Sequence, residues 1–194
     1  MQSQVAQYVR NCLDYQRSRT SRLFSCGLLH PLPVPEKPWQ DISMDFVVGL
    51  LGCEGFDAIW VVVDRLSKMR HCIPCHTTID ALRLAEMFLR EAVRLHGLPL
   101  TIISDGGQQF ASTFWGQICD HVGINRRIST DFDPQTDCQM EQMTASMEHY
   151  LWVFVNNQQD DWVKWLPFGE FAANNGTFLS TKCTPFLAVQ GADP

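Results

Sequence analysis

Alternating apolar and polar positions divide the middle of the chain into short strands and amphipathic helices. Three segments rich in Val and Ile, separated by turn-forming residues, predict strands at 42–51, 58–63 and 70–75. Their connections are too short for a crossover, so the three strands should form an antiparallel meander. Apolar residues then recur every three to four positions over 81–96, which predicts a helix capped by Asp80 and ended by Gly97.

The second half of the chain continues this alternation. Further strands are predicted at 100–104 and 124–129, and helices at 113–122, 138–156 and 161–174, the first of these helices capped by Ser112. The order β-β-β-α-β-α-β-α-α indicates an α/β domain, a five-stranded mixed sheet with helices on both faces. Residues 31–38 contain four prolines in eight positions and predict a stiff, extended linker. We therefore divide the chain into 1–30, the linker 31–38 and a domain at 39–194.

The overall composition excludes several classes of protein. The 194 residues are 45% hydrophobic and 19% charged, which is typical of a globular domain and not of a disordered or fibrous chain. The longest apolar runs fall far short of the ~20 residues of a membrane span, and no apolar amino-terminal segment resembles a signal peptide. The eight cysteines show no repeated spacing and predict no disulfide framework. We expect a soluble protein that is neither membrane-bound nor secreted.

The charge distribution restricts how the protein can bind nucleic acid. The net charge is −6, and the residues from 131 onward carry nine acidic side chains against Lys164 and Lys182. Affinity for a phosphate backbone comes from Lys and Arg displacing counterions, so broad non-specific binding is disfavoured. A nuclease-like site in which metal ions carry the positive charge remains open.

Three acidic residues stand where they could converge on metal ions. Asp45 lies within the first predicted strand, Asp105 directly follows the fourth, and Glu141 falls in the first turn of a predicted helix. Mg²⁺ prefers such oxygen ligands and keeps its remaining positions for water and phosphate. Two such ions can activate a nucleophile and stabilise the leaving oxygen in phosphoryl transfer. Acids that only cap helices or face solvent would occur in the same order, so the positions alone leave both interpretations open.

Many short motifs around these acids resemble the integrase of gypsy-type LTR retrotransposons. The matching stretches are PWQDISMDF at 38–46, VVVDRLSKM at 61–69, LHGLP at 95–99, ISDG at 103–106, QF at 109–110, FW at 114–115, DPQTD at 133–137, QQDDW at 158–162 and LP at 166–167. The resemblance implies a ribonuclease H-like fold of the retroviral integrase kind. It also implies that Asp45, Asp105 and Glu141 are the family's catalytic and metal-binding acids, the last two separated by 35 residues, 106–140, as in the family.

The same resemblance implies an activity with its cofactors and partners. An integrase catalytic core holds two Mg²⁺ or Mn²⁺ ions and needs no small-molecule cofactor. In the family's reaction the 3′ ends of element DNA are trimmed, and the new 3′ hydroxyls then attack target DNA. We therefore expect DNA and further copies of the chain as partners, and a nuclear or cytoplasmic location.

Several residues that accompany the acids in the family differ in this chain. Gly106 and Gln142 stand where the family usually has arginine, Asp133 where it has histidine, and Cys138 where it has glycine. The missing cations would have held phosphate beside the metal ions. An alternative function therefore stays open, that of a decayed, catalytically inactive copy that only binds nucleic acid or protein. The sequence leaves the question of enzyme activity undecided between these two.

Residues 1–30 are expected to be the remnant of the family's amino-terminal zinc module. Cys12 matches one cysteine of that module, but Tyr15 replaces the next one. A structural zinc ion needs four ligands, so we predict no zinc. The segment also contains the candidate nucleic-acid-binding residues Arg10, Arg17, Arg19 and Arg22.

Three further features favour structural interpretations. Asp64 follows the second predicted strand, away from the end of the fourth in a meander, which favours a turn or salt-bridge role. The run HCIPCH at 71–76 has metal-like spacing, but a strand sends neighbouring side chains to opposite faces. The aromatic residues between 152 and 171 are spaced as on a helix, which favours a core or a dimer face over base stacking.

Overall fold

A computed structural model describes residues 35–104, 107–128, 155–156, 158–178 and 180–194, which fold around one mixed sheet. Its strands are β1 (Asp41–Val47), β2 (Ala58–Asp64), β3 (Arg70–Cys75), β4 (Thr101–Ser104) and β5 (Asn125–Ile128). Their spatial order is β3-β2-β1-β4-β5. The predicted antiparallel meander of β1, β2 and β3 is confirmed, and β4 and β5 join it parallel to β1.

Helices connect and cover the strands. They are α1 (Ala81–Phe88, continued by a π-helical turn at Leu89–Val93 and a last turn at Arg94–His96), α2 (Gln108–Ala111), α3 (Thr113–His121), α4 (Trp162–Asn174) and α5 (Pro185–Gln190). The predicted caps are confirmed, because Asp80 accepts a hydrogen bond from the Arg83 N–H and Ser112 accepts one from the Trp115 N–H. In the described part of the chain, no helix has the length and apolar character needed to cross a membrane.

Some predicted elements differ from those observed. The helix predicted at 138–156 lies outside the described residues except for 155 and 156, which are not helical. The sequence pattern did not predict α2 and α5, because their four and six residues, respectively, are too few to show a helical period. The first strand is shorter than predicted, since Gly49 adopts a φ of 81° and the chain leaves the sheet after Val47. Beyond it, Leu51 is 55% exposed.

Alternate residues of β2 belong to two hydrophobic layers, one on each face of the sheet. Ala58, Trp60 and Val62 pack in a cluster with residues of α1 and α3. The intervening residues of the strand pack instead with Trp162 and Leu166 of α4. Every residue of β2 is buried, as expected for a strand covered on both sides. Helices therefore lie on both faces of the sheet, as predicted.

Helix α4 also closes the outer edge of the sheet. The Asn174 side chain accepts a hydrogen bond from the Arg70 N–H (2.9 Å) and donates one to the Arg70 carbonyl (2.8 Å). One helical turn earlier, Glu170 accepts a hydrogen bond from the Cys72 N–H at 2.8 Å. These side chains satisfy backbone groups of the edge strand β3 that would otherwise offer a template for pairing with another chain.

Candidate active site

Asp45 lies near the carboxyl end of β1, the central strand of the sheet. Its neighbour Met44 pairs with Ser104, the last residue of the parallel strand β4, and the next residue in the chain is Asp105. In open α/β sheets, ligands bind outside the carboxyl ends of the parallel strands. Strand β1 thus places Asp45 at this end of the sheet, and the adjacent strand β4 is followed directly by Asp105.

Asp45 is half-buried. One of its oxygens, Oδ1, accepts a hydrogen bond from the Phe46 N–H at 2.8 Å. The Phe46 ring in turn lies 5.1 Å from the ring of Phe110, which is 1% exposed. A carboxylate oriented by the backbone of a central strand is an oxygen donor that Mg²⁺ or Mn²⁺ would accept. The donor at this position therefore fits a divalent cation.

The other predicted site residues fall outside the part of the chain that the structure describes. These residues are Asp105 and Glu141, the altered positions Gly106, Asp133, Cys138 and Gln142, and the arginines Arg10, Arg17, Arg19 and Arg22. Within the described residues, no group of three or more His, Cys, Asp or Glu side chains is arranged to hold a metal ion. The shared metal site remains a prediction, and Asp45 is its described member.

Asp64 organises the turn between β2 and β3, as predicted. Its carboxylate is fully buried and accepts hydrogen bonds from the Trp39 and Ser67 N–H groups, each at 2.9 Å, and from the Ser67 hydroxyl. Asp64 pairs with Ile42 on β1. At ~3.3 Å per residue, the three positions from Ile42 to Asp45 place the two acids roughly 10 Å apart along the sheet. Asp64 therefore belongs to the turn and not to the candidate metal site.

The cysteines of the run 71–76 are buried parts of the sheet. Burial raises the pKa of the Cys75 thiol to about 12, and burial together with Glu170 also raises the pKa of Cys72. A metal ion binds the thiolate form, and these thiols are protonated at neutral pH. The structural interpretation of this run is confirmed for the cysteines.

His71 takes part in a polar cluster that the sequence pattern did not predict. Its Nδ1 lies 3.0 Å from a Glu170 oxygen, and its Nε2 lies 2.8 Å from Nε2 of His96. The Trp39 ring stacks on His96 with ring centroids 3.6 Å apart. The local signal for this cluster in the sequence is the spacing of an acid and an amide on α4. Glu170 and Asn174 lie one helical turn apart and so present polar groups to a neighbouring element of the chain.

The histidine pair predicts a pH-dependent stability. A hydrogen bond between Nε2 of His71 and Nε2 of His96 needs one unprotonated ring nitrogen as its acceptor. Burial, and secondarily the adjacent His71, lower the pKa of His96 to about 4 from an unfolded value near 6.5. Between these values the unfolded chain binds more protons, so stability should fall as the pH falls from about 6.5 to about 4.

Urea unfolding at pH 7 and pH 4.5 tests this expectation. His96→Gln should lose less stability between the two pH values than the wild type does. His121→Gln is the matched control, because His121 is an exposed histidine on α3 and should leave the pH dependence unchanged. Equal pH dependence in the wild type and His96→Gln would contradict the assignment.

The fold is that of retroviral integrase catalytic cores, which are ribonuclease H-like. The HTLV-2 integrase catalytic core domain, solved in complex with magnesium in a trimeric form, aligns with a TM-score of 0.57 and 16% identity over 84% of this chain and 99% of its own. The BIV integrase core aligns with a TM-score of 0.61 and 18% identity over 79% of this chain and 95% of its own. A simian T-cell lymphotropic virus intasome, in complex with PP2A regulatory subunit B56 gamma, aligns with a TM-score of 0.67 and 14% identity over 100% of this chain and 68% of that one.

Sequence comparison then assigns the family. The model of the integrase core domain matches residues 35–134, which is about half of the chain. The Tf2-3 and Tf2-4 transposon polyproteins of Schizosaccharomyces pombe are each 32% identical to all 194 residues. The chain belongs to the integrase core domain family, and the resemblance seen in its motifs is confirmed. It spans about 15% of the length of the polyproteins that it matches.

Proposed function

We propose that this chain is the catalytic core of a retrotransposon integrase, a transferase that joins element DNA to target DNA. One observation carries the proposal. In a member of the integrase core family, Asp45 lies at the carboxyl end of β1, and its neighbour pairs with the residue that precedes Asp105. The third acid of the proposed site is Glu141.

The chain's own residues would prepare the site for two divalent ions. Asp45, Asp105 and Glu141 would hold the ions, which when bound supply the positive charge that activates the attacking oxygen and stabilises the departing one. Asp45 sits on a strand paired on both sides, and the Phe46 N–H orients its carboxylate. A donor fixed in this way need not reorganise when a metal and a phosphodiester arrive. The magnesium complex of the similar HTLV-2 core supports this choice of ion.

Element and target DNA are the proposed substrates, and the proposed place of action is the nucleus. The simian relative with this fold was solved as an intasome, and the HTLV-2 core was solved in trimeric and dimeric forms. These relatives support an oligomeric chain that acts on DNA. The arginines of residues 10–22 are proposed to contact phosphates of the DNA.

A joining assay on a branched DNA tests the proposal. The substrate carries one element end already joined to a target duplex, so the reaction asks little of domains that flank the core. With Mn²⁺, the 194-residue chain should release or rejoin the element end, and EDTA should stop the reaction. No reaction with Mn²⁺ across a range of substrates would contradict a catalytic function.

Four altered residues favour a second candidate function, an inactive copy that only binds nucleic acid or protein. Gly106 and Gln142 remove two cations that the family places beside the acids, Asp133 replaces a histidine, and Cys138 replaces a glycine. Under this candidate the protein shows the Mn²⁺-assisted DNA binding expected of the fold, but no joining.

Restoring the cations should strengthen DNA binding. Duplex affinity should rise when Mn²⁺ is added and rise again in Gly106→Arg/Gln142→Arg. Each new phosphate contact should steepen the dependence of log affinity on log salt by about one unit. Gln158→Arg/Gln190→Arg, which adds the same charge at two exposed positions, should change the slope less. Tight binding in EDTA that neither pair alters would place the DNA surface on the arginines of residues 10–22.

A further inference from the structure

Arg126 of β5 extends a half-buried side chain to Phe110 of α2. Its Nη1 donates a hydrogen bond to the Phe110 carbonyl at 3.4 Å, and its buried Nε has no hydrogen-bond acceptor among the described residues. In the part of the chain that the structure describes, no carboxylate lies within ion-pair distance of this guanidinium. A half-buried cation that lacks a counter-charge among the described residues is not explained by the stability of that part of the fold, so its presence calls for another explanation.

Helix α3 is shaped to admit this guanidinium. A Cβ atom at Gly116 would lie 2.6 Å from Nη2 and 3.0 Å from Cζ of Arg126. Any side chain at position 116 would therefore push the guanidinium away from Phe110. Glycine is a poor residue inside a helix, yet here it leaves the room that Arg126 occupies.

The contact made by Arg126 leads to the described member of the candidate site and to the helix that follows Asp105 in the sequence. Phe110 belongs to α2, which begins at Gln108, three residues after Asp105 in the sequence. The buried ring of Phe110 packs against Phe46, whose N–H orients the Asp45 carboxylate. The hydrogen bond from Arg126 to the Phe110 carbonyl therefore holds α2, which follows Asp105 in the sequence. It also holds the contact between the Phe110 and Phe46 rings behind Asp45.

We propose that Arg126, with the space left by Gly116, is a positioning residue for the metal site. It acts through Phe110 and contacts neither metal nor substrate. The inference rests on the proposed function, because it concerns the acids that would hold the ions. Its effect should therefore appear in metal affinity and not in the stability of the fold.

Two variants remove the contact in different ways. Arg126→Met removes the cation, whereas Gly116→Ala keeps the cation and displaces it. If charge repulsion alone mattered, Arg126→Met should bind Mn²⁺ more tightly and Gly116→Ala should bind it unchanged. If Arg126 positions the site, both should bind Mn²⁺ about tenfold more weakly, the lower end of what loss of an outer-shell partner costs. Since both changes break one contact, the double variant should be no weaker than either single variant.

Mn²⁺ titration of the full 194-residue chain, followed by the electron paramagnetic resonance signal of free Mn²⁺, measures these affinities. Thermal unfolding of the same samples should show no loss of stability in Arg126→Met. Arg127→Met is the matched control, an exposed arginine on the same strand, and should bind Mn²⁺ like the wild type. Asp45→Asn should lose the binding.

The outcomes separate the two proposals. Wild-type affinity in both Arg126→Met and Gly116→Ala, with binding lost in Asp45→Asn, would overturn the positioning role and leave the proposed function standing. Unchanged binding in Asp45→Asn would overturn the proposed metal site and the positioning role with it. If Arg126→Met does not fold, the Mn²⁺ affinity of Gly116→Ala tests the positioning role. This variant should fold, because alanine is a better helix former than glycine and the cation is kept.

Discussion

Asp105→Asn should reduce Mn²⁺-dependent joining of DNA to background. The change keeps the shape of the side chain and removes the charge that would anchor an ion. Charge stabilisation by catalytic metal ions contributes several kcal/mol to the transition state. Losing about 4 kcal/mol slows a reaction roughly a thousandfold, since each 1.36 kcal/mol is a factor of ten. The rate of joining on the branched substrate is the measurement, and Asp45→Asn should give the same result.

Asp64→Asn is the matched control for this experiment. It is also an acid at a strand end, but its carboxylate is engaged by the N–H groups of Trp39 and Ser67 in the β2–β3 turn. The substituted amide keeps one oxygen acceptor for that turn. The joining rate at 25 °C should remain close to that of the wild type. An equal loss in Asp64→Asn and Asp105→Asn would show that the catalytic acids are wrongly assigned.

Asp64→Ala should instead destabilise the fold by about 3–5 kcal/mol. Alanine leaves the buried Trp39 and Ser67 N–H groups without their acceptor, and each hydrogen bond to a charged group is worth ~1.5–3 kcal/mol. The same carboxylate joins the turn after β2 to Trp39, two residues before β1, so its loss loosens that end of the β1–β2 pair. The shift in the urea midpoint at constant m-value measures this change.

Asp120→Ala provides the comparison for the stability experiment. Asp120 is an exposed acid on α3, and surface substitutions of this kind usually change stability by no more than ~0.5 kcal/mol. A loss below about 1 kcal/mol in Asp64→Ala would mean that water can replace the carboxylate in the turn. The role assigned to Asp64 would then be wrong.

The sequence alone determined the features that depend on local pattern. Strand β3 has the predicted bounds, and β2 extends the prediction by one residue, because runs of β-branched residues between turns mark buried strands. The caps Asp80 and Ser112 were predicted because a cap bonds to a backbone N–H three residues away. The motifs around Asp45 also identified the family, since they are contiguous stretches of residues.

Only the tertiary structure decided which distant residues meet. Glu170 and Asn174 close the edge of β3 from about 100 positions away, and His71 meets His96 across 25 positions. Gly116 makes room for Arg126 of a neighbouring element, and the chain leaves β1 at Val47 although apolar residues continue. Such contacts depend on strand order and helix placement, so they have no period or spacing that a sequence could reveal. The pairing of Met44 with Ser104, which brings Asp45 beside the strand that leads to Asp105, is of this kind.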